Sequence, residues 1–295
     1  MVGVRLEGRL GNQLFQYAFI LAVSGKLDTH FFVDQYIELS IVDLYFTDTR
    51  RGSFVNRLWA GTVSKLFRIT GFKNFFSFYL RRFYYRYFVL IARVHLVKYS
   101  YAATATAITI KEDCLYHGYF QSESFFNEYE ALVRERFVLK NEFADSFKQK
   151  FGDFYGADRV VTVHIRRTDY QNLGHLGLGG NDLSLPLNYY KKAISKFDGQ
   201  KVHFVFISDD RDFVIDNFSG VPNKTISMDD EITDFQHLMN ADACIISNST
   251  FSWWGAWLNK KPDKVVFAPM YFMGWRIKEE TPLEIYPDSW KVIDF

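Results

Sequence analysis

The sequence predicts an α/β protein built on parallel sheets, and three observations predict it. Apolar β-branched runs alternate with helical-period stretches through the C-terminal half, the pattern of strands joined by crossover helices. The chain opens on a strand, a glycine turn and a helix, the beginning of such a unit. Three strand ends carry polar clusters, and in a parallel sheet they share the rim where open α/β sheets bind ligands. All six prolines lie at Pro186 or later, a composition shift that divides the chain. We therefore expect two α/β halves, 1–154 and 155–295, with a basic helical insert at about 50–100 in the first.

Taken in order, Met1–Leu6 reads as a strand. Gly8 and Gly11 allow a tight turn, and Leu14, Phe15, Ala18, Leu21 and Ala22 then recur at helical spacing. Neither the phosphate-loop lysine nor the three-glycine dinucleotide pattern is present. As residues alone, the turn either points N–H groups at an anion or is a helix start capped by Asn12 and Gln13. Phe31–Asp34 is the next strand. Thr104–Ile110 suggests another, His117–Ser122 a strand end or turn, and Ser124–Arg136 and Phe143–Phe151 helices. The second half has clearer punctuation: strands at Val160–Ile165, Lys201–Ser208, Thr225–Ser227, Ala243–Ser247 and Lys264–Ala268, and helices at Pro186–Lys196, Asp234–Asn240 and Phe251–Leu258.

The net charge of +1 hides an asymmetry. Between Thr49 and Ile110 there are eleven cations and no acid, and Phe72–Phe88 alone holds ten aromatics. This block reads as amphipathic helix, either lying on an anionic membrane surface or forming an aromatic core face with snorkelling cations. No nucleic-acid-binding motif accompanies it, so nucleic acid is not an expected partner. No run of 18 apolar residues occurs, and Arg5, Glu7 and Arg9 interrupt any signal-peptide core. Cys114 and Cys244 are far apart and lack metal spacing. The expected setting is the cytoplasm, with peripheral contact to the inner face of the membrane through the basic block.

The strand Val161–Ile165 delivers Arg166, Arg167 and Asp169 to the rim. Arginine grips phosphate bidentately and keeps its charge. The bland alternative is a structural ion pair between Arg167 and Asp169. The second cluster is Ser208-Asp209-Asp210. The third, Ser247-Asn248-Ser249-Thr250, opens a helix whose N–H groups suit phosphate. A nucleotide diphosphate held without a metal is a coherent ligand. Trp253, Trp254 and Trp257 either stack on sugar or, at helical spacing, belong to the core.

Gly8–Ala18, Val163–Tyr170 and Asn248–Trp257, in that order, resemble the signature blocks of the glycosyltransferase family 11 α-1,2-fucosyltransferases. The resemblance implies a GT-B architecture, two Rossmann-like halves facing across a cleft. It implies inverting, metal-independent transfer of L-fucose from GDP-fucose to the 2-hydroxyl of a terminal β-galactoside, on an oligosaccharide or glycolipid. No cofactor is expected, GDP-fucose being a co-substrate. By the pattern of related fucosyltransferases, Arg166 takes the β-phosphate and Asn12 approaches the diphosphate or reacting centre. Ser249, Thr250 and Phe251 contact phosphate and nucleoside, and Asp234 contacts guanine unless it merely caps its helix. Arg9, His164 and Ser252, inside the same three blocks, complete the expected donor-binding set; His164 is alternatively a structural histidine of a buried strand.

A general base would take the proton of the acceptor hydroxyl. The position that carries a glutamate in α-1,6 relatives is Gly174 here. Asp169 is the candidate by position, unless it braces the turn, and His175 and Asp182 are further candidates. Two readings compete: a metal-dependent transferase using Asp209-Asp210 or Asp229-Asp230, and a non-catalytic glycan- or nucleotide-binding module.

Overall fold

The computed structural model describes residues 1–35, 37–38, 40–47, 79, 94–101, 103–157 and 159–295. The described chain forms two compact units, Met1–Val138 and Leu139–Phe295. In the first, β1 (Val2–Arg5), α1 (Leu10–Lys26), β2 (Phe31–Asp34), α2 (Val42–Tyr45), β3 (His95–Lys98), β4 (Cys114–His117) and α3 (Glu130–Arg136) follow in sequence. Its strands are all parallel, in the order β2-β1-β4-β3. Every residue of β1 and β2 is buried, as expected of apolar strands covered on both faces. Gly3 makes room for its neighbour: a Cβ there would lie 2.2 Å from the Phe32 ring. At the sheet's end Arg5 Nε meets Asp34 Oδ2 at 2.7 Å, a buried pair that fixes β1 against β2. α1 is apolar nearly all round and is buried accordingly. Phe19 on it stacks on Phe120 at 3.8 Å between centroids and meets Phe125 edge-on.

The second unit contains α4 (Asn141–Ala157), β5 (Val160–Ile165), α5 (Leu187–Ile194), β6 (His203–Ser208), α6 (Arg211–Asn217), β7 (Lys224–Ile226), α7 (Glu231–Asn240), β8 (Ala243–Ile245), α8 (Thr250–Leu258), β9 (Val265–Pro269) and β10 (Lys291–Ile293). Its parallel sheet has the order β10-β9-β8-β5-β6-β7. The chain builds outward from β5 through β6 to β7, then returns to the other side of β5 with β8. The order therefore reverses between β5 and β8, and that switch point opens a crevice at the strands' carboxyl ends. Trp253, Trp254 and Trp257 are buried in mutual ring contact, and Trp253 Nε1 donates to Ile285 O at 2.7 Å. They are core.

Several expectations change. The division expected after residue 154 falls inside α4. That helix packs on α7, with Phe147 and Phe151 against the His237 ring, Tyr155 Oη 2.7 Å from His237 Nδ1 and Lys150 paired to Asp229, so it belongs to the second unit. Thr104–Ile110 is not a strand; it holds a short 3-10 turn at Ala105–Ala107, because its small residues bury nothing. The helix expected from Ser124 is broken into 3-10 turns at Glu123–Phe125 and Asn127–Tyr129 before α3, since Phe126 leaves helical geometry (φ −144°, ψ 6°). Apart from Tyr79 and the stretch from Val94 onward, the basic aromatic block lies outside the described residues. Where it is described, it supplies β3, a sheet-edge strand whose residues are mostly exposed and so carry no inward-outward alternation. Both cysteines are free and buried. No helix among the described residues is long and apolar enough to cross a membrane.

Candidate active site at the sheet switch points

In the second unit, the chain leaves β5 and turns at once into a 3-10 segment, Asp169–Asn172. That turn brings Asp169, three residues on, back to Arg166: Nε to Oδ1 is 2.8 Å and Nη2 to Oδ2 is 2.7 Å. Asp209 Oδ2 lies 3.3 Å from Nη1. Arg167 does not pair with Asp169 as the sequence suggests. It points to the β6–α6 turn, where its Nε meets Asp210 Oδ2 at 3.0 Å and its guanidinium stands 3.8 Å from the Phe213 ring centroid. Asp209 accepts from the backbone N–H of Arg167 (2.9 Å), from that of Thr168 (3.1 Å) and from the Thr168 hydroxyl. The two acids after β6 are thus committed to holding the loop after β5. Arg166 is oriented by two carboxylates, and a guanidinium has five donors, so donors remain for an anion.

Across the switch point, β8 ends in Ser247, whose Oγ lies 2.8 Å from His164 Nδ1. His164 is buried; burial first, then the nearby Arg166 charge, hold its pKa down at about 3. A neutral ring bound to Ser247 ties the ends of β5 and β8 together. Tyr170 Oη donates to Asn248 O at 3.1 Å, a second tie between the same two loops. Ser249 precedes α8, and its hydroxyl makes no cap bond to the helix. The start of α8 is therefore a helix N-terminus at the rim, the geometry that receives anions. Ser249 is buried, Thr250 and Phe251 are half-buried, and the buried Ser252 hydroxyl is turned back to Ser249 O at 3.1 Å.

Asp234 sits in the first turn of α7 but does not cap it. Asp230 is the cap, accepting from Thr233 N–H at 2.9 Å. Asp234 instead accepts the Ser227 hydroxyl at 2.5 Å, and burial raises its pKa to about 7. Its neighbour Phe235 touches the Phe251 ring (5.2 Å between centroids), and Phe251 touches His164 (5.5 Å). The Asp234, Asn248–Ser252 and His164–Asp169 segments thus converge on one rim.

The first unit has its own switch point, between β1 and β4. Gly8 has φ +82°, and a Cβ there would meet Asn12 Nδ2 at 2.4 Å, so this turn requires glycine. Asn12 Oδ1 accepts from Gln121 Nε2 at 2.9 Å. Gln16 bonds Glu7 N–H (3.0 Å), Glu7 O (3.3 Å) and Gly118 O (3.1 Å), locking the ends of β1 and β4 together. Arg9, at the cap position of α1, is exposed. Glu7 Oε2 lies 2.8 Å from His117 Nε2; this contact and that of Gln121 with Asn12 join segments about a hundred residues apart and leave no local signal in the sequence. His175 and Asp182 lie in the loop between β5 and α5, which holds Gly174, Gly177, Gly179 and Gly180; Asp182 is engaged by the backbone N–H and hydroxyl of Ser184.

The sequence pattern described as "Glycosyl transferase family 11" matches residues 94–292, from just before β3 into β10. The chain belongs to glycosyl transferase family 11. It is 27% identical over 310 residues to the Escherichia coli O-antigen biosynthesis glycosyltransferase WbnK, covering 97% of this chain and 98% of that one. It is 29% identical over 314 residues to an Escherichia coli alpha-1,2-colitosyltransferase, covering 100% and 99%. Among solved structures it resembles POFUT1 in complex with GDP-fucose, with a TM-score of 0.53 at 12% identity over 90% of this chain and 97% of that one. That likeness concerns the fold, and it agrees with the GT-B-type pairing of two parallel α/β units. As a family 11 member the chain is a glycosyltransferase.

Proposed function

We propose that this family 11 glycosyltransferase transfers L-fucose from GDP-fucose to the 2-hydroxyl of a terminal β-galactoside, with inversion and without a metal. The observation that carries the reading is the convergence of Arg166 and the start of α8 at one switch point. Departure of GDP builds negative charge on its β-phosphate, and fixed donors aimed at developing charge are usually the largest catalytic term. Arg166 and the Ser249–Thr250–Phe251 segment supply them here. The α-1,2 linkage is supported by the colitosyltransferase relative. That name also favours a second reading, in which the donor sugar is a fucose analogue. The carboxylates that a metal-dependent mechanism would use are otherwise engaged: Asp209 and Asp210 hold Arg167 and Thr168, Asp229 meets Lys150 and Asp230 caps α7.

The test is incubation with GDP-fucose and a panel of β-galactosides, with linkage analysis and a parallel reaction in excess EDTA. An α-1,2-fucosylated product at undiminished rate in EDTA is expected. Loss of turnover in EDTA that a divalent ion restores would favour the metal-dependent reading. Neither GDP release nor product would favour a binding module, and transfer only from a GDP-linked fucose analogue would change the donor.

Asp234 gives this reading a pH signature. A carboxylate accepting guanine N–H groups must be ionised, yet burial holds the Asp234 pKa at about 7 before ligand arrives. GDP binding then lowers that pKa and releases a proton. Affinity for GDP is expected to fall as pH drops below about 7, approaching tenfold per pH unit, and to level off above it. Calorimetric titration across pH measures this; Asp234→Asn should bind more weakly and lose the slope. A pH-independent affinity in the parent protein would remove Asp234 from the guanine site.

A further inference from the structure

Three arginines stand on the rim of the second unit, and two of them are engaged. Arg166 is held by Asp169 and Asp209, and Arg167 by Asp210. Arg211, the first residue of α6, differs. Among the described residues its side chain takes part in no hydrogen bond and no ion pair. It is half-buried and lines an open concavity of about 550 Å³ at the carboxyl end of β6, together with Ser208 and Asp209. Of its three nitrogens only Nε is sealed from the surface without a partner, so the fork at its tip is open to a ligand. A guanidinium cannot shed its charge, and a half-buried one without an acceptor is costly until an acceptor arrives. The neighbouring strand shows which acceptor fits. β6 pairs with β7, Phe206 beside Ile226, and Ser227 N–H donates to Phe206 O at 2.8 Å. The turn that starts α6 therefore lies beside the loop that leads to α7 and Asp234. Burial, the largest cause, raises the Asp234 pKa; the Ser227 hydroxyl and the Arg211 charge draw it back. Arg211 and Asp234 thus act on each other across neighbouring loops without closing into an ion pair. A cation and a carboxylate held apart in this way can flank a planar ligand whose acceptors lie beside its donors.

We propose that Arg211 reads the guanine of the nucleotide donor, its terminal fork donating to O6 and N7 while Asp234 accepts from N1–H and the 2-amino group. The assignment rests on the GDP-fucose reading above and names the residue that sets its base specificity. Guanine carries O6 and N7 as adjacent acceptors, and a bidentate arginine fits that pair. Adenine puts an amino donor where O6 would be, facing the arginine's own donors. Its N1 is an acceptor and would face the Asp234 carboxylate. The two side chains together therefore reject adenine at two neighbouring positions, by unpaired and opposed polar groups rather than by shape. Arg166 remains with the diphosphate, so base reading and leaving-group stabilisation fall to different arginines of one rim.

Calorimetric titration of the parent protein, Arg211→Met and Arg211→Lys with GDP, IDP and ADP tests this. It is run at about pH 8.5, so that Asp234 is ionised with or without the arginine's charge. IDP keeps O6 and N7 and lacks only the 2-amino group. Arg211→Met keeps the stem and loses the donors. It is expected to weaken GDP and IDP alike, by about ten- to a hundredfold, and ADP by less than about threefold, so that the preference for GDP over ADP shrinks. Arg211→Lys keeps the charge without the fork and should lose about tenfold for GDP, again more than for ADP. Thermal melting should stay close to the parent, because no bond within the described chain is lost. An equal loss for all three nucleotides would give Arg211 to the phosphates and overturn the assignment. GDP affinity kept within about twofold in Arg211→Met would overturn it too. If the parent protein binds no GDP, the donor reading fails instead, a result distinct from a parent that prefers GDP and a variant that shares the preference.

Discussion

Replacing Arg166 by alanine is expected to lower kcat/KM for sugar transfer by about a thousandfold, close to 4 kcal/mol of transition-state stabilisation. Two effects add. The guanidinium that meets developing charge on the departing diphosphate is lost. Asp169 and Asp209, now held 2.7 Å and 3.3 Å from guanidinium nitrogens, would instead present uncompensated negative charge to a dianionic leaving group. Arg166→Lys should recover only part of the loss, because a point charge cannot hold the Asp169 carboxylate bidentately and a phosphate at once. The fold should survive with a modest loss of stability: the Asp169 side chain is 42% exposed, and Asp209, 19% exposed, keeps its bonds from the Arg167 and Thr168 backbone N–H groups. Steady-state kinetics with GDP calorimetry on the same preparations measures this, with thermal melting as the control. A loss under tenfold, at unchanged melting temperature, would take the phosphate role away from Arg166.

A large stability effect is expected at Gly255, on the face of α8 that meets α7. A Cβ there would lie 2.6 Å from Leu238 Cβ and 2.8 Å from Leu238 Cδ1. Glycine inside a helix normally costs about 1 kcal/mol against alanine, so propensity alone favours replacement. Overpacking opposes it by about 1–3 kcal/mol, and here the clash is with a Cβ fixed to the facing helix, which cannot swing aside. Gly255→Ala should therefore be destabilising by up to about 2 kcal/mol, and Gly255→Val by about 3 kcal/mol or more. Each kcal/mol lowers the melting temperature by about 2–4 °C in a chain of this size class. Leu238→Ala opens space opposite, so the double variant should be more stable than additivity predicts, by about 1 kcal/mol. Strict additivity, or a stabilising Gly255→Ala, would show that the helices part without cost. Because α8 begins just after Ser249 and Phe235 on α7 touches Phe251, a forced separation should also weaken GDP binding.

The sequence by itself determined much of the second unit. Val160–Ile165, His203–Ser208 and Val265–Pro269 are runs of β-branched and aromatic residues buried on both faces of a parallel sheet, and such runs identify themselves. The turn chemistry was equally local: Gly8 is demanded by a positive φ and by Asn12, both within five residues. The tryptophans of α8 declared themselves core through helical spacing. Strands without those marks were missed. β3 is mostly exposed at a sheet edge, and β10 is three residues long with two of them exposed. Family membership was legible for the same local reason, since its three motifs are contiguous blocks.

Only the tertiary structure decided what those blocks do to each other. Strand order is set by which apolar faces cover which, so the switch points between β5 and β8 and between β1 and β4 follow from packing. The pairing of charges followed from it. Arg166 took Asp169 because the chain curls into a 3-10 turn, and Arg167 took Asp210 because β6 lies beside β5. Asp230 rather than Asp234 caps α7 because the helix begins three residues before the periodicity suggested, which leaves Asp234 to Ser227. Glu7 met His117 only because β1 and β4 are neighbours, across 110 residues of chain. Hydrophobic period and glycine geometry act over a few residues and can be read along the chain; hydrogen bonds and ion pairs form at 3 Å between whatever the sheets bring together, and that choice belongs to the fold.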